Sequence, residues 1–330
     1  MSRSEHIAVV GAGLMGHGIA QIFAARGHEV LLYDLNPAVL KEALVKIRTN
    51  LEFLSENALG LREDIEPALE RIKAVSTLRE AITGARFVVE AVAENLEIKQ
   101  ALFREMEAYC SPITILATNT SVISITEIAA RTRARERVVG THFWNPPYLV
   151  PLVEVVGGRD TLPEVKDYTF HLLKSLGKHP VMIKKDVPGF VGNRLQHALW
   201  REAISIVEQG IADPETVDDV IKNGFGIRLP VLGPLENADL VGLDLTLQIH
   251  DYILKFIESS PAPSPLLRQK LATGELGFKT GRGFYTWDPE SMGQCRKGLV
   301  DHLIRWNVEH RPEAQCLNPK EPKGLTEEQE

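Results

Sequence analysis

A chain of 330 residues, 44% hydrophobic and 25% charged, is long for one hydrophobic core and has the composition of a two-domain globular protein. Its net charge of −7 argues against a nucleic-acid partner, which would need a basic face. Cys110, Cys295 and Cys316 are too few and too scattered for a disulfide framework or a zinc site, and no apolar run approaches the ~20 residues that span a bilayer, so a cytoplasmic protein without a signal peptide or membrane contact is expected.

Residues 7–10 read as a buried strand, 14–25 as a helix and 29–34 as a second strand. Pro37, at a helical first turn, opens a long helix through residue 54. Further strands fit 87–91, 113–118, 138–142, 149–156 and 179–183, with helices over 97–109 and 162–176 between them. Strands alternating with helices predict βαβ units and a mainly parallel sheet. After Lys184-Lys185-Asp186-Val187-Pro188-Gly189 the pattern changes. Apolar residues at 191, 195, 199, 203 and 206/207 mark the buried face of a helix over 191–209. Residues 216–221, 241–257 and 266–272 also read as helices, and no strand pattern follows. The expected fold class is α/β: a Rossmann-type, doubly wound domain over 1–186, then an all-helical domain over 187–330, with a polar tail over 312–330.

Gly11-Ala12-Gly13-Leu14-Met15-Gly16 lies between the first strand and the first helix. Gly11 suits a tight turn, Gly13 a close backbone approach to a pyrophosphate, and Gly16 close helix–strand packing; the anion would sit on the helix N-terminus. Asp34 ends the second strand eighteen residues past Gly16, where a carboxylate hydrogen-bonds ribose hydroxyls and repels a 2′-phosphate. The cofactor expected is NAD.

His142, where a strand runs into Asn145-Pro146-Pro147, precedes Glu154 by twelve residues. Glu154 lies in an apolar run that a carboxylate rarely occupies without a partner. An imidazole beside such a carboxylate is the base-plus-orienter arrangement of general acid–base catalysis. The bland reading is a surface histidine and an edge-strand glutamate.

Residues 11–20, Asn119-Thr120-Ser121, 142–147, 151–156, 186–195 and the later Gly277-Phe278-Lys279-Thr280-Gly281-Arg282-Gly283-Phe284-Tyr285 resemble, in that order, the L-3-hydroxyacyl-CoA dehydrogenase family. The resemblance runs over roughly residues 5–287. It implies NAD-dependent oxidation of the L-3-hydroxyl group of a 3-hydroxyacyl substrate to the 3-oxo compound, with His142 as base, Glu154 as the carboxylate that orients it, and Ser121 and Asn193 as contacts to the substrate oxygen. It further implies that Glu94, Lys99, Asn145 and Lys279 contact the cofactor, and that the protein is a homodimer. On their own residues, Ser121 could instead cap a helix, Asn193 could be a first-turn residue facing solvent, and Lys99 and Lys279 could be exposed lysines. His17, His28, His171 and His197 read as surface or packing residues.

The family's CoA-using members carry a serine and a lysine on the helix after the second strand. Here that stretch, Thr49-Asn50-Leu51-Glu52-Phe53-Leu54-Ser55-Glu56-Asn57, has no lysine and two glutamates, a poor match for phosphates. Residues 224–234 resemble relatives that act on CoA-free substrates, the carnitine, L-gulonate and pyridine-carboxylate dehydrogenases. For a free carboxylate, Arg194, Lys222 and Arg228 are the candidate cations. A lysine-dependent β-hydroxyacid dehydrogenase is disfavoured, because residues 191–209 contain no lysine. A non-catalytic NAD-binding protein would not need His142, Glu154, Ser121 and Asn193 together.

Overall fold

The computed structural model describes residues 4–310, which form two compact units. The first runs to Phe190 and takes up the chain again from Gly298; the second is Val191–Lys297. The sequence boundary at 186/187 lies four residues before that division, and the end of the last helix groups with the first unit rather than the second. The polar tail over 312–330 lies outside the described residues.

The first unit is built on one eight-stranded sheet: β1 His6–Val10, β2 Glu29–Tyr33, β3 Ile72–Val75, β4 Phe87–Glu90, β5 Ile115–Thr118, β6 Val138–Phe143, β7 Leu152–Gly157 and β8 His179–Ile183. The order is β3-β2-β1-β4-β5-β6-β7-β8; all neighbours are parallel except β6 and β7. Alternation along each strand feeds two cores. Ile7, Val9, Phe87 and Val89 join one cluster, and Ala8, Val10 and Val88 the other, so both faces of the sheet are covered.

The helices start where capping chemistry puts them. Asn36 accepts the N–H of Ala38 at 2.9 Å, and Pro37 opens Pro37–Glu56; Asn95 accepts the N–H of Ile98 at 3.0 Å and opens Leu96–Glu107. Several features differ from the sequence pattern. Strand β3, Ile-Lys-Ala-Val, is a four-residue edge strand too short to show alternation. Strand β7 begins at Leu152 rather than 149, because the N–H groups of Leu149 and Val150 both bond the Pro146 carbonyl in a turn. Gly242, at φ 101°, ends Pro234–Val241 and separates it from Leu243–Ile253, where one helix over 241–257 was expected.

The second unit consists of helices, among them Gly192–Glu208, Pro214–Asn223 and Pro265–Ala272, together with isolated bridges joining Gly277, Arg282 and Thr286. A further helix, Pro289–Glu309, escaped the sequence reading. Among the described residues of the second unit, only Ser205 and Val217 are buried. No described helix is long and apolar enough to cross a membrane.

Candidate active site

The carboxyl ends of β1, β2, β4, β5 and β6 carry Gly11, Asp34, Glu94, Ser121 and His142 in the segments that follow or close them. In a doubly wound sheet this edge is where ligands bind. Gly11 has φ 97°, and a side chain there would strike the Ala91 carbonyl; at Gly16 a Cβ would strike Gly11 itself. A Cβ at Gly13 would meet no protein atom within 4 Å, so the backbone there is open to an incoming group. Helix Gly16–Ala25 has no side chain capping its N-terminus at Met15, which leaves first-turn N–H groups for an anion. Leu14 is exposed. These residues fit the pyrophosphate of a dinucleotide.

Asp34 does more than ribose binding requires. Its carboxylate accepts the N–H of Ala12 and the N–H of Asn36, each at 2.8 Å, and so ties the glycine turn to the end of β2. His17 is buried rather than superficial: its Nδ1–H donates to the Gly13 carbonyl at 2.7 Å, and burial lowers its pKa.

Glu94 and Lys99 belong to one network, exposed at Glu94 and buried at Lys99. Burial would raise the Glu94 pKa, but the Thr120 hydroxyl (2.6 Å), the Lys99 charge and the N–H groups of Ser121 and Val122 outweigh it and hold the carboxyl below the usual carboxylate value. Lys99 is only 1% exposed, so the exposed-lysine reading does not hold. Its ammonium lies 2.6 Å from Glu90, which is itself fully buried, and 3.4 Å from Glu94. Glu90 also accepts the Thr118 hydroxyl and the N–H of Val92. The Glu90 carboxylate lacked a sequence signal beyond its place in an apolar strand, yet it anchors the lysine beneath the Ser121 turn.

His142 and Glu154 are opposite each other in the β6–β7 register, and His142 Nδ1 lies 2.7 Å from Glu154 Oε2. Both are buried, at 4% and 1% exposure. A carboxylate can only accept, so Nδ1 carries the hydrogen, and in the neutral ring Nε2 keeps its lone pair. The rings of Trp144 and Phe190 lie 5.2 and 5.8 Å from the imidazole. Asn119 accepts the N–H of Phe143, linking the ends of β5 and β6. Asp186 accepts from the hydroxyls of Ser124 and Thr126 and from the N–H groups of Ile125 and Thr126, which fastens the segment after Ser121 to the segment after β8. It is Ser124, rather than Ser121, that caps helix Ile125–Ile128.

Asn145 is exposed in the loop after β6. Asn193 and Lys279 belong to the second unit: Asn193 is half-buried in the first turn of Gly192–Glu208, and Lys279 is exposed in a turn. Arg228 closes a short 3-10 turn, and Lys222 pairs loosely with Asp218 at 3.7 Å. No cluster of metal-ligating side chains occurs among the described residues.

Residues 6–187 match the 3-hydroxyacyl-CoA dehydrogenase NAD-binding domain, and 189–287 match the C-terminal domain of the same family. The 5-formyl-3-hydroxy-2-methylpyridine 4-carboxylate 5-dehydrogenase of Mesorhizobium japonicum is 34% identical over 300 residues, 91% of this chain and 96% of that protein. A probable 3-hydroxybutyryl-CoA dehydrogenase of Bacillus subtilis is 40% identical over 288 residues, 87% of this chain and 99% of that protein. A crystal structure of the pyridine-carboxylate enzyme, described as an NAD+-dependent dismutase, superposes with a TM-score of 0.86 at 32% identity, covering 94% of this chain and all of that one. The (S)-3-hydroxybutyryl-CoA dehydrogenase structure from Ralstonia eutropha gives 0.72 at 35% identity, over 87% of this chain and all of that one. With both domains matched in order over nearly the whole described chain, the protein belongs to the 3-hydroxyacyl-CoA dehydrogenase family.

Proposed function

We propose that the protein is an NAD-dependent dehydrogenase that oxidises the L-3-hydroxyl of a small, CoA-free hydroxy acid to the 3-oxo compound. The buried His142–Glu154 pair carries this reading. His142 Nε2 takes the hydroxyl proton, and Glu154 holds the tautomer and stabilises the imidazolium that forms. Bound NAD supplies the hydride acceptor; Gly11, Gly13, Leu14, Met15, Gly16 and Asp34 are assigned to hold it, with Glu94, Lys99, Asn145 and Lys279 toward its nicotinamide half. Ser121 and Asn193 are assigned to the reacting oxygen.

Two observations support a substrate without CoA. The last turns of Pro37–Glu56 present Glu52 and Glu56 to solvent, while two cations earlier on the same helix are engaged: Lys46 by Glu42 at 2.7 Å, and Arg48 by both oxygens of Glu66 at 2.5 and 3.1 Å. Phosphates gain little there. The superposition on the pyridine-carboxylate enzyme also exceeds that on the CoA enzyme. The 40% identity to the probable 3-hydroxybutyryl-CoA dehydrogenase favours a thioester as the second reading. Following NADH absorbance with acetoacetyl-CoA beside free 3-oxo acids decides between them. Turnover confined to the free acids supports the first reading, and turnover confined to the thioester defeats it.

A homodimer is proposed through the second unit, where Leu240, Leu243, Leu247, Tyr252 and Phe256 are all more than 60% exposed. A monomer mass by light scattering at micromolar concentration would count against it. The free thiols Cys110 and Cys295 accord with a reducing cytoplasm as the proposed location.

A further inference from the structure

The segment Asp186-Val187-Pro188-Gly189-Phe190 closes a turn in which the Phe190 N–H donates to the Val187 carbonyl at 3.0 Å, with proline and then glycine at the two central positions. Gly189 has φ 76°, as the second central position of a type II turn demands. Phe190 then takes φ 49°, a region that a bulky side chain rarely occupies. Nothing in the turn itself requires this. The conformation is held from outside: Gly189 donates its N–H to the Val122 carbonyl at 3.1 Å, and Asp186 grips Ser124, Ile125 and Thr126 through four hydrogen bonds. Its result is a phenyl ring, 1% exposed, lying 5.8 Å from the His142 imidazole at 55°, with Trp144 5.2 Å away at 51°.

Backbone strain retained beside a proton-transfer pair points to a functional placement. We propose that Phe190 is a positioning residue for His142, walling the imidazole with Trp144 so that Nδ1–H stays on Glu154 and only Nε2 is offered to substrate. The proposal rests on His142 being the base. The turn that carries Phe190 is also fastened to the segment after Ser121. The same hydrogen bonds therefore fix the imidazole wall and the hydroxyl turn relative to each other. Excluding water from one side of the pair also strengthens the His142–Glu154 hydrogen bond, since less of its field is screened.

The test compares the full-length wild type with Phe190→Leu, which keeps an apolar side chain and the backbone requirement, and Phe190→Tyr, which keeps the ring. A proton NMR spectrum of the wild type should contain a low-field imidazole N–H signal that His142→Gln removes. Phe190→Leu should lose that signal to exchange with water and lower kcat about tenfold, with KM for NAD+ within twofold; Phe190→Tyr should retain both. A Phe190→Leu protein that keeps either the signal or the wild-type kcat overturns the proposal. So does loss of cooperative melting in both variants, which would make Phe190 a packing residue only. Normal turnover in His142→Gln defeats the base assignment itself, whereas the NMR comparison still reports whether Phe190 holds the ring.

Discussion

His142 and Glu154 face each other directly across the antiparallel pair β6 and β7, so both side chains leave the sheet on one face, and a 2.7 Å hydrogen bond joins them. A slip of one residue in register would send the carboxylate to the opposite face. The only antiparallel pairing within the described sheet is thus the one that assembles the proposed proton-transfer pair. His142→Gln should lower kcat by roughly two to four powers of ten, the usual worth of a general base. Glu154→Gln should lower it on the order of 10²- to 10⁴-fold, because an amide neither fixes the tautomer nor stabilises the imidazolium. Stopped-flow NADH formation checks both, and near-normal turnover in either would remove that residue from the reaction.

On the proposed ribose role, Asp34 would link cofactor choice to the shape of the glycine turn, whose Ala12 N–H it accepts. Replacing it with alanine removes the repulsion of a 2′-phosphate and also the acceptor for the Ala12 N–H. The ratio of kcat/KM for NAD to that for NADP should fall at least ~10-fold, equivalent to about 1.4 kcal/mol. Asp34→Asn should retain more of the turn's order while relaxing the preference similarly. An unchanged ratio in both variants would confine Asp34 to a structural role.

Much of this edge is legible in the chain because it depends on local patterns. The glycine turn follows a buried strand, Asp34 ends the next strand, and His142 and Glu154 interrupt apolar runs. What escaped depends on long-range pairing. Glu90 sits inside an apolar strand, and its partner Lys99 lies nine residues on, across a loop and a helix start. The role of Asp186 needs a contact sixty residues back to Thr126. Phe190 reads as one more core residue until its backbone angle and its distance to His142 are known. Strand β3 and helix Pro289–Glu309 were missed for the opposite reason, being too short and too polar respectively for periodicity to reveal.

The Glu90–Lys99 pair is buried at both ends, so breaking it on one side leaves an uncompensated charge. Lys99→Met alone should destabilise the protein by about 3–5 kcal/mol, visible as a lower midpoint in urea. Combining it with Glu90→Gln should recover most of that loss, since neither partner then remains charged and unpaired. Equal destabilisation in the single and double variants would show that packing, rather than charge, dominates at this position.

Lys178 supplies a pH dependence of known sign. It is half-buried and donates from Nζ to the carbonyls of Pro147 and Val150, clipping the loop between β6 and β7. Burial, with Arg26 nearby, pushes its pKa down to about 7 from the ordinary 10.5. Between those values the unfolded chain holds a proton that the folded chain has released, so this group makes stability rise with pH. Its destabilising effect is fully present below about pH 7 and fades as the pH rises toward 10.5. Cys110 acts oppositely above that range: burial raises its thiol to about 11, so stability falls as the unfolded thiol ionises from near pH 9. The window from pH 7 to 9 therefore isolates the lysine. Melting temperature measured across it should climb in the wild type, and in Lys178→Met the climb should flatten. A slope that survives the substitution would assign the pH dependence to another group.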